Sequence, residues 1–271
     1  MDINNLKNHA LNIRRNIVQM VYDAKSGHPG GSLGSADILT YLYFVEMNIN
    51  KDNVKTTNRD RFVLSKGHCT PALYATLHEA GLLDEDLKTF RQINSKLQGH
   101  PNMNYVDGVD MSTGSLGQGI STAVGMAIAN KIDGNNNRVY ALVGDGESEE
   151  GIVWEALMAA SHYKLDNLCV IFDVNHLQID GNVQDVIGPL PLLDKVQAFM
   201  CKGIEADGNC FESLQKAFDE AKATKGKPTC IIAHTIKGKG VSFMENNYAW
   251  HGAAPNDEQY AQAMADLKEA K

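Results

Sequence analysis

The sequence predicts an α/β fold, a doubly wound and mostly parallel sheet with helices on both faces. The segments VYALV (139–143), LCVIFDV (168–174) and TCIIAHT (229–235) are short and almost continuously apolar, as strands covered on both faces are. Longer segments with helical spacing separate them, which favours parallel strand order. No repeat, low-complexity stretch or linker interrupts the pattern. A single domain spanning residues 1–271 is the simplest prediction.

Apolar spacing predicts the remaining elements. Leu6, Ala10, Ile13 and Ile17 recur at steps of three and four, so the chain begins with an amphipathic helix that ends before the glycine-rich SGHPGGSLG. Two further short strands are predicted at 61–65 and 203–206. Further helices are predicted at 38–45, at 71–81 with Gly81 closing it, at 120–130, 149–163 and 211–223, and after the cap residue Asn256.

Composition excludes several classes of protein. The 271 residues carry a net charge of −8 without a long basic run, which argues against nucleic acid or an anionic membrane as partner. The five cysteines are far apart and form no Cys-x-x-Cys pair, so we expect no disulfide framework or zinc site and a reducing compartment. The N-terminus does not resemble a signal peptide, and no segment is long enough to span a membrane. A cytoplasmic location is expected.

Polar residues follow two neighbouring strands. Gly144-Asp145-Gly146 comes directly after one strand and opens onto a helix, where glycines and free amides suit a diphosphate. A carboxylate beside a diphosphate requires a cation between them, and Mg²⁺ prefers such oxygen ligands. Alone, Gly-Asp-Gly is equally well an ordinary strand-to-helix turn. Together with Asn175 at the end of the next strand, it favours a magnesium site.

Four histidines adjoin glycine in predicted loops or turns, although a single loop histidine is usually only solvated. Together they predict a polar pocket that donates to phosphate or moves protons. These four are His28, His68, His100 and His251. Histidines within predicted helices or strands are expected to be structural, namely His9, His78, His162 and His234.

Other charged residues near these motifs have simpler explanations. Lys237 and Lys239 in TIKGKG could steady phosphates, but a solvated turn explains either one alone. Glu147, Glu149 and Glu150 crowd the start of a helix, where pairing with the helix dipole accounts for two of them.

These segments together resemble a known family. In order along nearly the whole chain, the sequence is similar to the N-terminal, thiamine-diphosphate-binding part of transketolase. The similarity lies in SGHPGGSLG, LSKGHCTPALYATLHEAG, QGHPN, STGSLGQGISTAVGMAIA, GDGESEEGIVWEALMAASHYKLDNL, DVNHLQIDG and WHGAAP.

The resemblance implies a role for each candidate residue. Magnesium would be bound by Asp145, Asn175 and the main-chain oxygen of Leu177. The diphosphate would contact His68, Gly146, the main-chain NH of Glu147, and His251. Gly114, Ser115 and Leu116 would lie against the aminopyrimidine, and Ile179 against the thiazolium. His28, His100 and His251 would face the sugar, with His28 and His251 transferring protons, and Glu150 would lie at a subunit interface.

The resemblance also implies a partner. Transketolase continues into a pyrimidine-binding and a C-terminal domain, so we expect a second subunit to carry both in an α2β2 assembly. The implied reaction transfers a two-carbon ketol unit from a ketose phosphate to an aldose phosphate, in carbohydrate metabolism such as the pentose phosphate pathway.

Three alternatives remain open. The KGKG spelling resembles deoxyxylulose-phosphate synthase and leaves the sugar undecided. The E1 α subunit of an oxo-acid dehydrogenase shares the cofactor but has no evident use for these histidines. A non-catalytic paralogue would tend to lose the metal and histidine positions together, and all are present.

Overall fold

The computed structural model describes residues 2–268. Its helices are α1 (Ile3–Ala24), α2 (Pro29–Gly34), α3 (Ala36–Tyr41), α4 (Thr70–Glu79), α5 (Gln118–Ile132), α6 (Gly151–His162), α7 (Val183–Val186), α8 (Leu192–Ala198), α9 (Phe211–Ala223) and α10 (Asp257–Asp266). Its strands are β1 (Arg61–Leu64), β2 (Val139–Gly144), β3 (Leu168–Val174), β4 (Leu177–Gln178), β5 (Gly181–Asn182), β6 (Lys202–Asp207) and β7 (Thr229–His234). Short 3₁₀ helices cover Gly67–Cys69, Leu87–Thr89, Gly146–Glu149 and Tyr248–Trp250, and a π-helix covers Leu42–Glu46.

Five strands form one parallel sheet in the order β1-β2-β3-β7-β6. The register pairs Gly144 with Asp173 and Val174 with His234, so the carboxyl ends of the central strands meet at one edge. The hairpin β4–β5 follows β3 at that same edge. The predicted fold class is therefore confirmed, and ligands in such sheets bind beyond this edge.

Side chains alternate between the two faces of the sheet. On β2, Tyr140 and Leu142 belong to the core formed with α1, α3, α4 and α9, whereas Ala141 and Val143 belong to the core formed with α5, α6 and α8. Each of these four side chains is buried. Strands covered on both faces explain why the sequence is continuously apolar there.

Several helices match their predicted bounds. Helix α9 covers 211–223 as the spacing predicts. Asn256 caps α10 in a capping box with Gln259, whose main-chain amide lies 2.9 Å from Asn256 Oδ1. The last turn of the helix expected at 38–45 is a π-helix instead. The helix expected at 149–163 begins at Gly151, after a 3₁₀ turn.

The glycine-rich segment after α1 was expected to be a loop, and part of it is instead the buried helix α2. Its glycines permit close packing: a Cβ at Gly30 would lie 2.8 Å from the oxygen of Trp250, and one at Gly34 would lie 2.9 Å from that of Ile236. Helix α8 was not predicted from the spacing. Within residues 2–268, no helix combines the length and apolarity needed to cross a bilayer. All five cysteines are free thiols.

Candidate functional site

A cavity of about 440 Å³ opens at the carboxyl edge of the sheet. Most of the residues that the sequence assigns to a ligand line it, namely His68, Gly114, Leu116, Asp145, Gly146, Glu147, Asn175, Leu177, Ile179 and His251. Ser115 is exposed outside this lining, and His28 and His100 lie beside it in a cluster of imidazoles. The structure therefore brings residues from four separate segments of the chain to one place.

Asp145 organises the turn after β2. Its Oδ2 accepts the main-chain amides of Asn175 (2.9 Å) and His176 (2.6 Å), and its Oδ1 accepts that of Gly146 (2.8 Å). Asn175 Oδ1 in turn accepts the amide of Leu177 at 3.1 Å. Burial raises the pKa of the Asp145 carboxyl to about 6, and the negative charge of Asp173 adds to the effect.

These residues fit a hard divalent cation. Asp145 is 2% exposed, and no lysine, arginine or histidine within 2–268 forms an ion pair with it. A buried carboxylate without a cation is unfavourable, and a metal ion would restore its charged form. Asn175 and the main-chain oxygen of Leu177 add neutral oxygens nearby. The described residues contain no cluster of three acidic, histidine or cysteine ligands, so exogenous oxygens would have to complete the shell.

Glycines keep the cavity wall open. A Cβ at Gly31 would lie 2.8 Å from Cys69 Sγ, and one at Gly146 would lie 2.8 Å from Gln178 Oε1. That Gln178 oxygen is buried without a hydrogen-bond partner in the described part of the chain. A ligand can therefore approach the main chain of both glycines closely, as a diphosphate requires.

A buried ion pair forms the floor of the cavity. Lys66 contacts Asp173 at the end of β3 and also donates to Ser35 Oγ at 3.1 Å. Thr235 donates to the second carboxylate oxygen. Burial opposes both charges, but the contact outweighs it, so the pKa of Lys66 lies above and that of Asp173 below its ordinary value. The pair holds β3 and the glycine-rich helix in fixed relation.

Lys237 was expected in a solvated turn, and this expectation is wrong. Its side chain is 2% exposed, donates to the oxygen of Leu177 at 3.0 Å and lies 3.1 Å from His251 Nδ1. Burial lowers the pKa of its ammonium to about 8, with a further contribution from the charge of Lys66. The turn folds inward because Gly238, at φ +80°, packs where a Cβ would meet the Met244 oxygen at 2.3 Å. Lys239 is half-exposed and lines a different cavity.

Four imidazoles form one cluster beside this cavity. The ring centroid of His28 lies 5.3 Å from that of His68, 5.5 Å from that of His251 and 6.4 Å from that of His100. Burial is the main cause that lowers the pKa of all four, to about 4 for His28 and about 3 for His251. The cluster is therefore neutral near pH 7 and can accept protons or hydrogen bonds.

The acidic run after Asp145 divides into different environments. Glu147 is buried, and its carboxylate accepts from Ser65 Oγ (2.6 Å) and from the amides of Gly117 (2.8 Å) and Gly144 (3.0 Å). Pairing with a helix dipole does not describe it. Its side chain joins three segments of the cavity wall, which leaves only its main chain for a ligand. Glu150 is exposed at the rim.

Exposed apolar side chains surround the cavity opening. Ile179 is 63% exposed and Ile187 is 71% exposed. Sequence reasoning missed Ile187, together with Lys66, Gln178 and Lys237. A lysine directly after an apolar strand was the available signal for Lys66. The others come from segments whose positions depend on turns that spacing does not reveal.

A parallel α/β sheet with a buried unpaired aspartate, a glycine turn and a polar cavity at its carboxyl edge defines a protein suited to an anion bound through a cation. Residues 6–268 match the sequence model of the family described as "Transketolase, thiamine diphosphate binding domain". The chain belongs to this family.

Relatives of two lengths are similar to the chain. A protein of Phocaeicola vulgatus, named as one of the two kinds of chain in an apulose-4-phosphate transketolase, is 42% identical over 270 residues, covering 99% of this chain and 96% of the relative. The 6-deoxy-6-sulfo-D-fructose transketolase subunit SqwG of a Clostridium species is 42% identical over 264 residues, covering 97% and 96% respectively. The solved transketolase of Campylobacter jejuni superimposes with a TM-score of 0.92 at 37% identity, covering 99% of this chain but 43% of that one. The chain thus spans about two fifths of the solved transketolases.

Proposed function

We propose that this chain is the thiamine-diphosphate-binding subunit of a split transketolase, active with a partner chain that carries the pyrimidine-binding and C-terminal domains. The observation that carries this proposal is the pair of lengths: the chain matches relatives named as subunits almost end to end, and matches the solved transketolases over only about 41–43% of their length. In this proposal residues 1–271 form one domain of an α2β2 enzyme in the cytoplasm.

Each predicted ligand contact has a physical rationale. Asp145, Asn175 and the Leu177 oxygen would hold Mg²⁺, with diphosphate oxygens and water completing its shell. A carbonyl oxygen has two lone pairs, so the bond from Lys237 leaves one on Leu177 for the metal. His68, His251, Gly146 and the Glu147 amide would contact the diphosphate. Lys66 and Lys237, both buried in the cavity wall, would offset its charge.

The organic part of the cofactor would extend towards the cavity opening. Gly114, Ser115 and Leu116 would lie against the aminopyrimidine, and Ile179 against the thiazolium. When bound, thiamine diphosphate supplies an electron sink for cleavage and formation of carbon–carbon bonds. The exposed Ile179 and Ile187 and the rim carboxylate of Glu150 would become covered by the partner chain, which would also exclude water.

The histidine cluster would handle the protons of the sugar. His28, His100 and His251 are proposed to face the substrate, with His28 and His251 accepting and returning protons of its hydroxyl groups. The two full-length relatives are named for apulose 4-phosphate and 6-deoxy-6-sulfo-D-fructose, sugars that each carry an anionic group. We infer that the substrate here is a ketose with an anionic group, transferred as a two-carbon unit to an aldose of the same kind.

The proposal is tested with the chain and its partner copurified. Thiamine diphosphate binding is measured by calorimetry with and without Mg²⁺, and ketol transfer is assayed from a panel of ketose phosphates and sulfonates. The proposal expects magnesium-dependent binding and transfer with at least one donor. Binding that ignores Mg²⁺, or an assembly without transfer to any aldose, contradicts it.

A further inference from the structure

Arg91 is a buried cation that the proposed function leaves without a role. It follows the 3₁₀ helix Leu87–Thr89 and has a left-handed backbone, at φ +59°, which costs free energy in a residue other than glycine. Its main-chain amide donates to the oxygen of Leu97 at 2.9 Å, which closes the loop between them. The strained conformation directs the side chain inward, where Nε is buried without a partner among residues 2–268.

The guanidinium group joins two loops that carry histidines. Its Nη1 donates to Ser26 Oγ at 3.1 Å, two residues before His28. On its other side it packs against Gly99, the residue before His100: a Cβ there would lie 2.7 Å from Cζ and 2.8 Å from both Nε and Nη2. Only glycine leaves room for this flat contact. One side chain thus fixes the separation of the His28 and His100 loops.

The charge of Arg91 also faces both imidazoles. Burial is the main reason that the pKa values of His28 and His100 are lowered, and Arg91 is the next contributor for each. The other groups facing His28 are His68, His100, His251 and Lys237, which are neutral imidazoles and one distant ammonium. Arg91 is therefore the nearest permanent positive charge, and it disfavours a second one on either ring.

We propose that Arg91 is a positioning residue that sets the geometry of His28 and His100 and holds both rings neutral for proton acceptance. The inference rests on the proposed function, in which these two histidines face the sugar. It explains why an arginine occupies a strained, partly unsatisfied position: a lysine lacks the planar group that can bond to Ser26 and lie flat on Gly99 at once.

The kinetic test uses the assembled enzyme with Mg²⁺ and thiamine diphosphate. Arg91→Met should lower kcat/KM at least tenfold, and should move the acid limb of its pH profile to higher pH because the histidines regain protons more readily. The Kd of thiamine diphosphate should stay within twofold. Arg91→Lys keeps the charge, so the acid limb should stay in place while kcat/KM still falls several-fold. Lys88→Met, which removes an exposed charge from the neighbouring 3₁₀ helix, is the matched control and should change neither.

The second readout does not require activity. Histidine side chains of the full chain are labelled with ¹⁵N, assigned with His28→Gln and His100→Gln, and titrated by NMR. Arg91→Met should raise the pKa of both rings, whereas Ser26→Ala, which removes one hydrogen bond, should reduce kcat/KM without moving either pKa. Unchanged titrations in Arg91→Met overturn the proposal, as does a loss of kcat/KM that follows cofactor affinity alone. If Arg91→Met does not fold, wild-type kinetics in both Arg91→Lys and Ser26→Ala overturn it. An assembled enzyme without ketol transfer would refute the proposed function, while the titrations would still decide the effect of Arg91.

Discussion

The ammonium nitrogen of Lys237 lies 3.1 Å from Nδ1 of His251. An ammonium group can only donate, so this contact makes Nδ1 the acceptor and places the ring proton of neutral His251 on Nε2. Burial and the neighbouring lysine charge lower the pKa of His251 to about 3, which keeps the ring in this form. The lysine thereby selects the tautomer of a histidine proposed to contact both cofactor and sugar.

Replacement of this lysine should separate binding from stability. Lys237→Met removes a buried charge without an acidic partner, so the free energy of unfolding should be unchanged or higher. Affinity for thiamine diphosphate should fall by on the order of tenfold to a hundredfold, the effect of one charge-assisted hydrogen bond. Calorimetric titration and urea unfolding measure the two quantities. Lys239→Met is the control from the same turn, because it faces away from the cavity, and equal losses in both variants would refute the role given to Lys237.

The proposed metal site gives a second prediction. Asp145→Asn keeps the size of the side chain and an acceptor oxygen for the amides of Asn175 and His176, but removes the charge. Magnesium-dependent affinity for thiamine diphosphate should fall by about a hundredfold or more, and raised Mg²⁺ should restore part of it. Asp145→Ala should in addition lower the free energy of unfolding, because it leaves main-chain amides without an acceptor. Asp145→Asn with wild-type cofactor affinity would exclude this carboxylate as a metal ligand.

His28 and His68 should differ in what their loss affects. His28→Ala should lower kcat of the assembled enzyme by about a hundredfold or more, as loss of a positioned proton carrier does, with little change in cofactor affinity. His68→Ala should mainly raise the Kd of thiamine diphosphate, because His68 lies deeper in the cavity wall. Kinetics at saturating cofactor distinguish the two effects. The assignment is refuted if both variants lose activity and affinity in the same proportion.

Neutral buried histidines also make the stability depend on pH. The pKa of His28 is about 4 in the folded chain and about 6.5 when unfolded, so the unfolded chain binds more protons between these values. Stability from this group is therefore complete above pH 6.5 and is lost as the pH falls towards 4. In His28→Asn, the slope of unfolding free energy against pH in this window should decrease by up to one proton. His162→Asn, at an exposed helix end, provides the comparison, and an equal change in both would contradict the prediction.

Sequence spacing could predict most of the fold and the centre of the site, because strands buried on both faces and the turns after them are local signals. Asp145, Asn175 and the glycine-flanked histidines were found in this way. Lys237 and Glu147 could not be read correctly, since burial of a charged side chain is decided by distant contacts: the inward turn at Gly238, and the amides of Gly117 and Gly144. Arg91 was missed for the same reason, because its partners Ser26 and Gly99 come from other loops.

The proposed division of the enzyme between two chains gives the last prediction. In the transketolase pattern, the thiazolium proton is lost to the amino group of the cofactor, which becomes basic only when a carboxylic acid bonds to the far side of its aminopyrimidine ring. Among the cavity carboxylates, Glu147 already accepts three hydrogen bonds, and Asp145 is assigned to the metal. The acid is therefore expected from the pyrimidine-binding partner.

This chain alone, saturated with Mg²⁺ and thiamine diphosphate, should not accelerate exchange of the thiazolium proton with deuterated water, measured by quenched-flow NMR. Addition of the partner should produce both rapid exchange and ketol transfer. The control is Glu150→Gln, which removes the exposed rim carboxylate and should leave the slow exchange of the isolated chain unchanged. Fast exchange by the wild-type chain alone would place the acid within its own residues, and the proposal that a partner completes the active site would then be wrong.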